Sequence, residues 1–151
     1  DHARRVAVHA LDLADALGAS RVERDAVLLA ALWHDIGREH DGGDYFHGAR
    51  SAGKVLGLGL HRGVPPRVLE LALFACTYHV PEDGWAERAA RYESDPRAAL
   101  RVLRILKDAD ALDRVRLGER SLKTDFLRLP ESLGLVELAW ALLRATEEKE
   151  S

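Results

Sequence analysis

Apolar positions recur at helical spacing along almost the whole chain, and no stretch alternates with the period of two that marks a strand. Val6, Ala10, Leu13 and Leu17 predict a first helix over about residues 2 to 17, closed by Gly18. A second is predicted over about 22 to 37. Its second half, AVLLAALW from Ala26 to Trp33, is apolar on every side, which marks a central, buried helix. Gly42 and Gly43 lie in a polar connection, and a third helix is expected from His47 to Leu60. Pro65 and Pro66 open a fourth, with Val68, Ala72, Ala75 and His79 on one face.

Residues 80 to 95 are polar and read as a loop with at most a short helical turn. Asp95 followed by Pro96 is an N-cap with proline at the first helical position, and a long helix should run from there to about Leu117. Pro130 starts the last helix, with Leu133, Val136, Trp140 and Leu143 in line; the tail EEKES should be solvated. The expectation is an all-α, compact single-domain helical bundle of about six main helices, covering 1–151, with 118–147 as a C-terminal helical extension.

Several polar side chains interrupt the apolar faces. His2 stands four residues before Val6 on the buried stripe of the first helix. His34 and Asp35 end the central helix, His79 ends the stripe of the fourth, and Asp110 continues the line of Leu103 and Leu106. Each costs desolvation free energy where an apolar residue would cost none. A divalent metal, held by neutral imidazoles and ionised carboxylates, is the partner that offsets the cost of the whole set. His34 and Asp35, as helix neighbours, point ~100° apart, so a shared ion must sit between them near the helix end. Gly37 just beyond lets the backbone turn away.

Composition narrows the setting. The chain has 151 residues, 47% hydrophobic and 31% charged, which fits a folded globular protein. Its net charge of −3 argues against binding a nucleic-acid duplex. No run approaches the ~20 apolar residues of a membrane span, and no secretory signal is visible. The single cysteine, Cys76, cannot form an internal disulfide, and a cytoplasmic location is expected. Methionine is absent even at position 1, so some sequence is expected to precede Asp1.

The motifs DHARRV, LWHDIGR and LKDADALDR, in that order and at these separations, resemble the HD-domain metal-dependent phosphohydrolases over roughly residues 1 to 117. The resemblance implies that His2, His34, Asp35 and Asp110 ligate one divalent ion (Mn, Mg, Ni, Zn or Fe). Some members hold a second ion. The segments FHGARSAGKVL and ACTYHV are similar to those that supply its ligands, which makes His47 and His79 candidates, although some two-metal members carry two consecutive histidines where this chain has His79-Val80. DHARRV favours His2 over His9, which reads as a partly buried or surface histidine. Asp110 is favoured over Asp108, which falls off the apolar face, and over Asp113. His61 reads as exposed, and His40 as a possible cleft residue.

Arg38 directly follows HDIG, where some members place a cation that meets the substrate phosphate; a solvated helix-end cation is the competing reading. Arg50 and Lys54 are further candidates for substrate binding, drawn with Arg114, Lys123 and Arg128 from a pool of mostly surface cations. No serine or cysteine stands in an activating context, so the resemblance implies hydrolysis by metal-activated water, with Asp35 or Asp110 orienting it and Arg38 offsetting charge. The expected substrate is a small anionic phosphomonoester or phosphodiester, a nucleotide among the candidates, and loops 38–46 and 80–95 with the segment LGERSLKTDFLRLP are expected to shape its pocket. Two other readings use the same residues: a di-iron oxygenase with His2, His34, Asp35, His47, His79 and Asp110 as six ligands, and a non-catalytic metal- or nucleotide-binding regulatory module. Oligomeric state is not encoded in any feature of the sequence.

Overall fold

A computed structural model describes residues 2–147, so Asp1 and the last four residues of the EEKES tail lie outside the described residues. Within them the chain is all-helical, with eight α-helices: α1 (His2–Ala16), α2 (Arg21–Trp33), α3 (His47–Gly57), α4 (Pro66–Tyr78), α5 (Asp83–Ala90), α6 (Pro96–Leu112), α7 (Pro130–Leu133) and α8 (Val136–Glu147). No helix among them is long and apolar enough to cross a membrane.

The central helix is α2, packed against α1, α4 and α6. Its start is fixed by a reciprocal cap: the Glu23 amide donates to Ser20 Oγ at 3.2 Å, and the Ser20 amide donates to Glu23 Oε2 at 2.8 Å. Ala26, Ala30 and Ala31 of α2 are fully buried, as are Ala10 of α1, Ala72 and Ala75 of α4, and Ala99 of α6. Small side chains at these contacts let the helix axes approach closely, while Val6, Leu13, Val27, Ile105 and Leu106 fill the space around them. α6 starts where expected, with the Ala98 amide donating to Asp95 Oδ1 at 3.0 Å and Pro96 at its first position.

Several boundaries differ from the expectation of about six helices. α2 stops at Trp33, because Ile36 and Arg38 donate three residues back, to Trp33 O at 3.2 Å and Asp35 O at 2.9 Å, and tighten the chain into a turn. The polar segment 80–95 holds a whole helix, α5. Only Ala86 and Ala90 are buried from it, a stripe too narrow for apolar periodicity to reveal. The long helix ends at Leu112 and continues as a 3-10 turn over Asp113–Leu117, stopped by Gly118 with φ 112°. The expected last helix is broken in two at Gly134. Leu133, assigned to its apolar face, is exposed, because Ser132 is instead drawn inward to Asp108.

Candidate metal centre

Four imidazoles and two carboxylates converge where the ends of α2, α4 and α6 meet the beginnings of α1 and α3. Three of the rings are oriented by backbone carbonyls of the preceding turn. The Nδ1–H of His34 donates to Ala31 O, that of His47 to Asp44 O and that of His79 to Cys76 O, each at 2.7 Å. A carbonyl only accepts, so these bonds place a proton on Nδ1, and Nε2 is the nitrogen left to offer a lone pair. The fourth ring, His2, donates Nδ1–H to Asp113 Oδ2 at 2.6 Å.

All four Nε2 atoms point into the cluster. His2 Nε2 is 3.3 Å from His34 Nε2, 3.3 Å from Asp110 Oδ1 and 3.6 Å from Asp35 Oδ2. His34 Nε2 is 3.7 Å from Asp35 Oδ2 and 3.8 Å from Asp110 Oδ1. On the other side of Asp35, Oδ1 lies 3.0 Å from His47 Nε2 and 3.6 Å from His79 Nε2, and those two nitrogens are 2.9 Å apart. Asp35 thus offers one oxygen to each of two donor sets, His2–His34–Asp35 and Asp35–His47–His79. Asp110 joins the first.

Ligand atoms ~2 Å from a common ion, at tetrahedral or octahedral angles, stand roughly 3 to 3.4 Å from one another. The separations here run from 2.9 to 3.8 Å. Imidazole nitrogens with carboxylate oxygens suit Zn, Fe, Ni and Mn, and the donor set therefore fits a divalent cation. Neutral Nε2 atoms facing each other at 2.9 Å repel unless a cation or proton lies near both.

The electrostatics favour ionised carboxylates in the cluster, while His2 must give up a proton before it can ligate. Burial opposes the charge on Asp35, yet His79, His34 and His47 hold its carboxyl well below the usual range. Burial likewise opposes Asp110, and the nearby His2 and His34 overcome it and hold the carboxyl down. Burial pushes His34 below its ordinary value, with Asp110 and Asp35 offsetting only part of the effect. It pulls His2 down too, but hydrogen bonds to Asp110 and Asp113 outweigh it and raise that imidazole to about 9. Cys76 is pushed up to about 12 by burial and by the nearby Asp35, which leaves a thiol rather than a nucleophilic thiolate.

The cluster opens at Asp110, whose side chain is 39% exposed against 0% for His34. Arg38 stands at the edge, Nη1 3.5 Å from Asp35 Oδ2, with its Nε donating to His40 O at 3.2 Å. Arg50 and Lys54 are engaged elsewhere. Arg50 donates to Gly37 O at 3.2 Å and pairs with Asp44; Lys54 donates to Ile36 O at 3.1 Å. Both brace the 36–44 segment. Tyr45 and Phe46, just after that segment, meet Pro81 and Trp85 around a cavity of about 180 Å³, so the stretches 38–46 and 80–95 adjoin.

Other residues hold the centre in place. Ser51, fully buried, donates Oγ–H to His34 O at 2.6 Å and accepts from the Gly37 amide at 2.8 Å, fixing the turn that carries Asp35. Asp113 is gripped by Arg5, whose Nε donates to Oδ1 at 2.6 Å. Both follow a readable spacing, Arg5 one turn after His2 and Asp113 one turn after Asp110. Asp108 is fully buried, contrary to its assignment off the apolar face. Arg128 and Leu129 amides donate to it at 2.9 Å, and Ser132 Oγ at 2.7 Å, so it anchors the chain after α6. His9, expected to be partly buried or at the surface, is fully buried with neither ring nitrogen paired.

The described residues are all-helical, and their helix ends bring four imidazoles and two carboxylates to separations that suit a shared cation. A match to the HD domain over residues 1–115 makes the membership definite: the chain belongs to the HD-domain family, largely one of metal-dependent hydrolases. Neither a curated protein nor a solved structure matches it.

Proposed function

We propose that the protein is a metal-dependent phosphohydrolase that cleaves a phosphomonoester or phosphodiester, nucleotides included. The observation that carries this reading is the pair of donor sets sharing Asp35, with the Nε2 atoms of His47 and His79 2.9 Å apart. His2, His34, Asp35 and Asp110 hold one divalent ion, and Asp35, His47 and His79 a second. Bound there, a divalent ion lowers the pKa of its water and polarises a phosphoryl oxygen.

The side chains supply the rest. Asp110, partly exposed at the mouth, accepts a hydrogen bond from the attacking water and aims it at phosphorus. The carbonyl-bound Nδ1–H groups keep the imidazoles fixed while charge develops, so little reorganisation is needed in the transition state. Arg38 leaves the carbonyls of His40 and Asp41 and forks onto phosphoryl oxygens entering beside Asp35. The high pKa and burial of Cys76 keep a thiol route out of the mechanism.

The test is elemental analysis of the purified protein, then a screen of phosphate esters with Mn, Mg, Ni, Zn and Fe. Turnover should fall about 100-fold or more in Asp35→Ala and Asp110→Ala. Wild-type turnover in both variants would remove the reading. Two irons with an oxidisable absorption band and no ester turnover would move the assignment to a di-iron oxygenase, and tight nucleotide binding without turnover to a regulatory module.

A further inference from the structure

The partners behind the four imidazoles are not alike. His34, His47 and His79 each donate Nδ1–H to a neutral carbonyl, whereas His2 donates to the carboxylate of Asp113 at 2.6 Å. Asp113 is 1% exposed as a side chain and cannot swing away, because Arg5 Nε holds Oδ1 at 2.6 Å and Arg5 Nη2 holds Oδ2 at 3.2 Å. The aspartates at 110 and 113 therefore take opposite edges of one ring: Asp110 Oδ1 is 3.3 Å from Nε2, and Asp113 Oδ2 is against Nδ1. Arg5 and Arg116, the latter with Nε 3.8 Å from Asp113 Oδ2, oppose the long-range field of this carboxylate. What survives is local: a short charge-assisted hydrogen bond that fixes the ring and enriches Nε2 as a donor.

The two donor sets also differ in charge. The first contains Asp35 and Asp110 and has Asp113 behind it. The second has only a share of Asp35, with the carbonyls of Asp44 and Cys76 behind its histidines.

We infer that Asp113 is a positioning residue that makes the centre unequal, so that the His2–His34–Asp35–Asp110 set takes up a divalent ion first and more tightly than the Asp35–His47–His79 set. This rests on the metal-binding reading above.

The experiment is a Zn²⁺ titration of the chelator-stripped full chain, followed by the imidazole ¹⁵N shifts in NMR. The diamagnetic ion should move the Nε2 signals of His2 and His34 before those of His47 and His79, with the two steps about tenfold or more apart in affinity. In Asp113→Asn the first step should weaken about 10- to 100-fold while the second stays within about twofold, a difference that general loss of fold would not produce. Equal or reversed filling in the wild type overturns the inference, as does an Asp113→Asn protein with unchanged first-step affinity. The wild-type order decides the matter even if the variant fails to fold. A wild-type chain that takes up no Zn²⁺ at all overturns the metal-binding reading itself, which distinguishes the two failures.

Discussion

Gly48 and Cys76 touch so closely that no side chain fits between them. A Cβ built on Gly48 would overlap the carbonyl oxygen of Cys76 and stand 2.9 Å from His79 Nδ1. That same carbonyl orients His79, so α3 crosses the end of α4 at the point where His47 and His79 are brought together. Gly48→Ala should force the helices apart, lowering stability by about 1–3 kcal/mol and removing the second ion while the first is retained. Gly53 on the same helix has nothing within 4 Å of its missing Cβ, so Gly53→Ala should instead stabilise by about 0.5–1 kcal/mol. Melting curves and metal-to-protein ratios check both. An unchanged ratio in Gly48→Ala would count against close approach as the reason for this glycine.

Among the described residues, Asp35 is the side chain that the two donor sets share. Asp35→Ala should therefore reduce the bound metal to a fraction of one ion per chain. Asp110→Ala and His79→Ala should each weaken only their own set, by about 10- to 100-fold or more. Elemental analysis after dialysis reads the stoichiometry directly. Two ions retained by Asp35→Ala would show that its carboxylate does not bridge.

Much of the fold and of the candidate site was legible in the sequence, for identifiable reasons. The apolar run of α2 and the proline starts of α4 and α6 are local signals, and each lies where periodicity placed it. His2, His34, Asp35, His79 and Asp110 stood out because a polar group on an apolar face needs a partner, and the structure brings all five together with His47. The failures have a common cause. Asp108 reads as off the apolar face and His9 as partly buried or at the surface, but both side chains are fully buried. Asp108 is covered by residues 128–132, and nothing near it in sequence announces that. The α5 helix was hidden for the same reason, since it buries only two alanines against α6. Arg50 and Lys54 looked like free cations until the turn at 36–44 supplied their acceptors.

His9 makes a prediction of its own. It is fully enclosed with both ring nitrogens unpaired, and burial lowers its pKa from the ordinary value of 6.5, with Asp113 and Asp12 opposing only in part. The unfolded chain takes up a proton here as pH falls through about 6.5, and the folded chain does not. Stability is thus complete above that value and drains away below it, until the folded ring itself protonates. His9→Leu should remove this contribution to the acid dependence and raise stability at neutral pH by about 1 kcal/mol or more, because an apolar group replaces unsatisfied nitrogens. Urea midpoints at pH 7.5 and pH 5.5 test it. A variant no more stable than the wild type, with the same loss between the two values, would mean that His9 is solvated in the folded protein.

The segment beyond α6 depends on a second charged node, far from the metal centre in function but built from the same helix. Lys107, mostly buried, donates Nζ–H to Pro81 O at 2.6 Å and to Asp83 Oδ1 at 2.7 Å. Arg128 reaches the same aspartate, Nε to Oδ2 at 2.9 Å, which links α5, α6 and the chain leading into α7. Burial would raise the Asp83 carboxyl, but Arg128 and Lys107 hold it down to about 2. Because the folded value is depressed, the stabilisation is present above the unfolded value of 3.8 and is lost as pH falls from there through about 2. The Asp83 side chain is 48% exposed, so solvent screening limits the pair to about 1 kcal/mol or less. Asp83→Asn should flatten acid unfolding between those two values, and at neutral pH it should cost more in low salt than in 1 M salt. It also leaves Lys107 enclosed without a counter-charge, so Lys107→Met added to Asp83→Asn should restore part of the loss. A double-mutant cycle with no coupling between the two positions would show that Pro81 O alone satisfies the buried ammonium.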